Sequence, residues 1–391
     1  MQNTDILVVG GGVAGLTATA AFADAGYDVI CVDKAPESAG AHDTRTTAFL
    51  GPAVDLLQKI GVWSRLSAEV APLSTMRLID AGGVVNEARE TADFDADELG
   101  QRGFGWNAPN LAIRTALRGR LADMANAALH YEVGLESLVQ RRDYVIATLS
   151  DGQIIQARLI VGADGRESLV RKLSGIGAKR WSYGQKALVF SVNHDQPHLG
   201  VSTEIHRTGG PFTLVPMPDG DGSYRSSIVW MDTAAETMRR ADLMVTEFSH
   251  EMNERSLGVL GRLTDPTPRA AWPIISLLAD RITAPRVALI AEAAHVVPPI
   301  GAQGLNMSLG DIATLISAAD GGDPGDAKSL ATYQRRWPEL AARVGGIDAL
   351  NRAALAGAQP ARDLRRFGLS LIASTPPLRH TAMRLGLGLG K

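Results

Sequence analysis

Glycines 10, 12 and 15, in the stretch Gly10-Gly11-Gly12-Val13-Ala14-Gly15, stand between an apolar run, Ile6 to Val9, and a helical pattern that stops at Gly26. Glycines at this spacing permit a tight turn, the approach of a pyrophosphate and close packing of the helix that follows, whose first amides then meet the phosphate charge. Asp33 ends a second apolar run, Val29 to Val32, close to the separation of about 20 residues at which a carboxylate accepts ribose hydroxyls. Gly10, Gly12, Val13, Ala14, Gly15 and Asp33 therefore point to dinucleotide binding; the alternative is a glycine turn kept for packing.

Other reactive side chains are sparse. His295 stands between two alanines and two valines, where a histidine serves either as an acid or base or as a hydrogen-bonded packing residue. His194 and His198 are four apart, but Pro197 argues against a helix that presents both, and no third ligand accompanies them, so no metal is expected. Cys31, the single cysteine, lies inside an apolar strand, cannot form an internal disulfide and fits a reducing compartment.

The elements around these residues define an α/β protein. The first 33 residues read strand, glycine turn, helix, strand, the βαβ unit of a parallel sheet. Alternating segments from Arg77 to Glu90 and from Ser137 to Val161 suggest antiparallel strands, with a helix near Leu111 to Ala128 between them. Leu188 to Val192, Thr203 to His206, Phe212 to Val215 and Ser226 to Trp230 read as strands of a second sheet, interrupted by one helix near Ala235 to Asn253. Val287 to Ala291 restores the buried parallel pattern, so the chain returns to its first domain. Residues 1–75, 100–175 and 280–325 then form a discontinuous Rossmann-like domain with a parallel sheet. Residues 76–99 and 176–279 form an inserted antiparallel-sheet domain that would face and bind a substrate, and 326–391 a C-terminal helical region.

Composition bounds the partners. The 391 residues carry 39 Lys+Arg against 42 Asp+Glu, a net charge of −3, which is no nucleic-acid signature. Glycine, at 41 residues, exceeds the usual share of about 7%. Neither an export signal nor a long apolar run is visible, so a cytoplasmic chain is expected. From Ala361 onward the basic residues outnumber the single acid, Asp363; Leu364, Phe367, Leu371 and Ile372 share a helical face near Arg362, Arg365 and Arg366. Such a helix suits an anionic membrane, giving a protein peripheral to the inner membrane, or a biosynthetic partner; equally it suits packing on the core.

Three further stretches occur in order: Asp43 to Ala48 with Arg45; Gly162-Ala163-Asp164-Gly165 leading to Arg171; and Arg286 to Asn306, containing Glu292, His295, Pro298, Pro299, Gly301, Gln303 and Gly304. Together with Gly210 to Pro216, and Gly105-Trp106 before Asn110, they resemble the group A FAD-dependent aromatic monooxygenases, most of all the ubiquinone-biosynthesis hydroxylases, over essentially the whole chain. The resemblance implies an FAD cofactor, NAD(P)H as a transient co-substrate, molecular oxygen, and a polyprenyl phenol or quinol as substrate. It places Arg45 over the pyrophosphate, Asp164 and Glu292 near the ribityl chain, and Asn110 and Arg114 among the cofactor contacts. Gly301, Gln303, Gly304, Leu305 and Asn306 would meet the flavin pyrimidine edge, with Pro298, Pro299 and His295 on the reacting face. Ala291-Glu292 replaces the usual Gly-Asp, and Ala302 intrudes between Gly301 and Gln303. Two other readings remain: hydroxylation of a soluble aromatic compound, and a non-catalytic flavin-binding assembly subunit, which the altered Ala291-Glu292 pair favours.

Overall fold

The computed structural model describes residues 1–386 apart from 42, 84, 102, 221, 320–321 and 356–357, so Lys391 of the basic tail lies outside the described residues. Gln2–Val9 sits at the centre of an eight-stranded sheet, flanked in parallel by Ile154–Gly162 and Val29–Asp33. Ala127–Tyr131 extends it in parallel beyond Val29–Asp33, and Val287–Leu289 beyond Ile154–Gly162. Ile6, Leu7, Val8 and Val32 are fully buried, because a parallel sheet is covered on both faces and its strands must be apolar throughout. Cys31 belongs to this core, and burial pushes its thiol up to about 12. The helix Val13–Asp24 covers the sheet and packs against the helix Gln303–Ala319.

A nine-stranded sheet runs in the order His295–Val296, Ala270–Ala279, Ala178–His194, Tyr224–Thr233, Gly210–Pro216, Val201–Arg207, Thr75–Asp80, Glu90–Asp95, with Leu263–Thr264 at its side. All its pairs are antiparallel except Val201–Arg207 with Thr75–Asp80. One face is closed by an aromatic core in which Phe190 and Phe248 meet at 5.1 Å and Phe212 and Trp230 at 5.2 Å. The single helix expected near Ala235 to Asn253 is two, Ala234–Asp242 and Val245–Ser256. Leu243 and Met244 are extended between them, and Arg269 fixes the break by donating to the carbonyls of Arg240 and Leu243.

Helices Gln359–Ser374 and Pro376–Gly386 lie over the Thr75–Asp80 and Glu90–Asp95 edge, where Met383 packs with Ala92 and Phe94. The expected apolar face of the first helix divides. Leu364, Phe367 and Leu371 are exposed, whereas Ile372 turns inward to that cluster. Arg365 bonds the buried Asp80 and Arg362 bonds the Gly82 carbonyl, so these two guanidiniums tie the helix to the sheet. No helix among the described residues is long and apolar enough to cross a membrane.

Candidate functional site

A cavity of about 790 Å³ opens between the glycine turn, the start of Gln303–Ala319, the free face of the nine-stranded sheet and the helix Pro376–Gly386. The glycines of the turn divide the work. A Cβ on Gly15 would lie 1.7 Å from the Gly10 carbonyl oxygen, and one on Gly10, whose φ is +110°, 2.4 Å from the Ala163 oxygen. Gly12 has nothing within 4 Å of that position and lies on the cavity wall with Val13 and Ala14. No side chain caps the helix that starts there, so its first amides are available to an anion. Asp33, at the adjoining strand end, accepts the Gly11 amide at 2.6 Å and the Ala35 amide at 2.8 Å.

Arg45, on the wall, grips Asp43 through Nε at 2.8 Å and Nη2 at 2.7 Å and stacks 4.3 Å over the Trp272 ring. Asp43 also accepts from Asn110 Nδ2. Burial raises the Asp43 carboxyl, but the Arg45 bonds outweigh it and hold the group below the ordinary carboxylate range. Arg114 reaches the wall with a buried Nε that has no partner among the described residues. An unpaired donor and uncapped amides beside open space suit the phosphates of a dinucleotide. Asp164 is not on the wall: its carboxylate accepts Ser168 Oγ and the amides of Leu169 and Val170, capping a short helix, while Ala163, Gly165 and Arg166 face the cavity.

The segment 291–306 forms the floor. Ala291 and Ala302, the two departures from the family pattern, both adopt left-handed backbone, at φ +54° and +56°, a conformation that costs an L-residue about 1–2 kcal/mol. Glu292 is half exposed and pairs with Arg166 at 3.2 Å. His295 is buried on the wall with Nε2 at 2.7 Å from Asp311 Oδ2; since the carboxylate accepts, Nε2 carries the proton. Asp311 also takes the Ala291 amide at 3.1 Å and Arg336 Nε at 2.8 Å. Burial pushes Asp311 upward, yet His295 and Arg336 together hold it below its usual range. His295 is therefore the anchor of a loop, and Pro298 and Pro299 are the rigid wall that the loop carries.

Gln303 and Asn306 turn to protein groups. Gln303 Nε2 donates to the carbonyls of Gly301 and Gly386. Asn306 donates to those of Ala48 and Ala302 and accepts the Leu50 amide. Gly301, Gly304 and Leu305 leave backbone on the cavity. The four ring nitrogens of His194 and His198 are all occupied by protein partners, Gln196 O, Ser226 Oγ, Met217 O and the Gly200 amide.

The sequence marked the second sheet as the substrate side but named none of the residues that line it. Met76, Leu78, Val215 and Val229 make it apolar, and Ser202, Glu204 and Thr213 add a polar row. The signal was present as alternating polar residues at 202, 204 and 206 in a strand buried on both faces. Asp311 and Arg336, behind His295, were also missed, because Asp311 lies in the helix Gln303–Ala319 and Arg336 in the turn before the helix Trp337–Leu355.

The chain matches the family described as FAD binding domain over residues 3–344. Ubiquinone hydroxylase UbiL of Rhodospirillum rubrum is 34% identical, the alignment covering 98% of this chain and 89% of the relative. The 3-demethoxyubiquinol 3-hydroxylase of Escherichia coli is 28% identical over 99% of both. Among solved structures, PqsL of Pseudomonas aeruginosa, a probable FAD-dependent monooxygenase, superposes with a TM-score of 0.79 over 94% of this chain and all of its own at 21% identity, which shows a shared fold.

Proposed function

Because this chain belongs to the FAD binding domain family of flavoprotein monooxygenases, we propose that it hydroxylates the aromatic ring of a polyprenylated phenol in ubiquinone biosynthesis, using NAD(P)H and molecular oxygen. One observation carries the reading: a single cavity has a backbone-built end suited to phosphates and an apolar sheet face suited to a prenylated ring. Bound FAD supplies the relay of electrons from NAD(P)H to oxygen.

Gly10, Gly12, Val13, Ala14 and Gly15 would seat the pyrophosphate on helix amides, with Asp33 at the ribose and Arg45 and Arg114 as cations. Arg45 and Asn110 would then release Asp43, which holds both of them here. Glu292, with Arg166 behind it, would serve the ribityl hydroxyls, and Asp164 would fix the turn that carries Ala163 and Gly165. The amides at Gly301, Gly304 and Leu305 would favour negative charge on the flavin pyrimidine, while Gln303 and Asn306 hold those amides in place. Pro298 and Pro299 would exclude water from the reacting face, and His295 would keep their loop in register. The substrate ring would lie between that loop and the sheet, within about 3–3.5 Å of the reacting oxygen.

A lipid substrate must leave a membrane. Exposed Leu364, Phe367, Leu371, Leu378 and Leu385 lie on the two C-terminal helices, the second of which walls the cavity. These residues would rest on an anionic lipid surface. Changing Leu364, Phe367 and Leu371 to glutamate should abolish flotation with anionic liposomes; unchanged flotation overturns the contact. The function itself is tested by quinone profiling of a deletion strain. An accumulated polyprenyl phenol one hydroxyl short of the next intermediate is expected, and an unaltered profile would redirect the reading to a soluble phenol.

A further inference from the structure

Glu204 is an unusual residue for its place. Its side chain is 7% exposed, and it stands on the cavity wall amid Leu78, Val215 and Val229. Its strand alternates so that Ser202 and Glu204 line the cavity and His206 follows on the same side of the strand, with Ile205 turned to the aromatic core behind. Thr213 lies directly opposite on the next strand.

A carboxylate withdrawn from water needs donors. Asp80, on the neighbouring strand and 1% exposed, has them in Arg89 and Arg365. Among the described residues Glu204 has one ionic partner, His206 Nε2 at 3.4 Å, and His206 has a buried Nδ1 that no described residue meets. No described residue consumes the rest of the acceptor capacity that this wall keeps inside an apolar chamber. The missing partner is therefore a donor that arrives in the cavity, and the hydroxyl of an aromatic substrate is such a donor.

We propose that Glu204 takes the proton of the substrate's phenolic hydroxyl, with Ser202 and Thr213 beside it and His206 behind. This rests on the hydroxylase reading above. The phenolic O–H bond breaks, its electron pair stays on the phenolate oxygen, and the proton forms an O–H bond on the Glu204 carboxylate. The added electron density activates the ring carbons toward an electrophilic oxygen. In the net reaction NAD(P)H gives a hydride and solvent one proton, the O–O bond breaks, one oxygen atom enters the ring as hydroxyl and the other leaves as water. The ring hydrogen displaced by the new C–O bond departs as a proton that restores the phenolic hydroxyl. The Glu204 proton is released toward that water, so the carboxylate returns ionised.

The test uses FAD-loaded wild type, Glu204→Gln and Glu204→Asp with a prenylated phenol and with its fluorinated counterpart, whose hydroxyl is more acidic. Glu204→Gln should keep the flavin content of the wild type while kcat for the plain phenol falls about 100-fold or more, with little change in KM. The fluorinated phenol should regain at least about 10-fold of that loss because it ionises with less help, and Glu204→Asp should regain part of it. Wild-type turnover by Glu204→Gln, or an equal loss with both phenols, overturns the proposal. A measurement without any variant uses the methyl ether of the same phenol: wild type should not hydroxylate it, and hydroxylation at the phenol's rate also overturns the proposal. A flavin-loaded wild type that hydroxylates no phenol at all brings down the hydroxylase reading, and this inference with it.

Discussion

The two ends of the cavity are built from different material. At the glycine end the wall is main chain: Gly12, Gly301 and Gly304 expose backbone, and side chains such as Asp164, Gln303 and Asn306 hold that backbone in position. At the sheet end the wall is side chain, with Leu78, Glu204, Thr213 and Val229 standing on a regular ladder. A backbone wall tolerates no added atoms where chain meets chain, so it is expected to fail by misfolding or by loss of FAD. A side-chain wall can be reshaped, so it is expected to fail in the handling of substrate alone.

The largest effect that tests this division is Gly15→Ala, whose Cβ would meet the Gly10 carbonyl at 1.7 Å; denaturant unfolding should show a loss above about 4 kcal/mol. Asp311→Asn removes the buried carboxylate that Arg336 and His295 share, leaving Arg336 with the more exposed Glu339, and should cost about 3–5 kcal/mol. Asp311 carries a depressed pKa in the fold. Its contribution is therefore complete above the ordinary carboxylate value of about 3.9 and disappears as pH falls through the lower folded value. The acid limb of a stability curve should accordingly be shallower in Asp311→Asn than in the wild type.

Gly12→Ala adds a methyl group to the open space of the wall. Unfolding should change by less than about 1 kcal/mol while FAD affinity falls at least 10-fold, about 1.4 kcal/mol, by flavin titration. Val229→Phe narrows the sheet wall; flavin content should hold while KM for a prenylated phenol rises about 10-fold, and a loss of flavin instead would erase the distinction between the two ends. The smallest effect is expected from Ala291→Gly and Ala302→Gly, which relieve left-handed alanines and should each raise stability by up to about 1 kcal/mol.

The same contrast explains what could be read beforehand. Gly10, Gly12 and Gly15 were legible because close approach of chain to chain, or of chain to ligand, leaves a fixed spacing of one residue type. The parallel strands at Ile6, Val29 and Val287 were legible because burial on both faces demands continuous apolar runs. Glu204 was not, since both faces of its strand are buried and only the packing of helices on one side reveals which face meets the cavity. Nor was the use of Gln303 and Asn306: the motif marks their positions, while the partners, Gly386 and Ala48, are distant in sequence. The Asp311 cluster joins three segments and leaves no local pattern at all.

The central claim is that this cavity couples FAD to insertion of oxygen into a prenylated phenolic ring. Purified FAD-loaded protein, given NAD(P)H, isotopically labelled dioxygen and a prenylated phenol, should yield a ring-hydroxylated product carrying one labelled oxygen atom for each NAD(P)H consumed, by mass spectrometry. NAD(P)H consumption that ends entirely in hydrogen peroxide, with no label in the phenol, would contradict it.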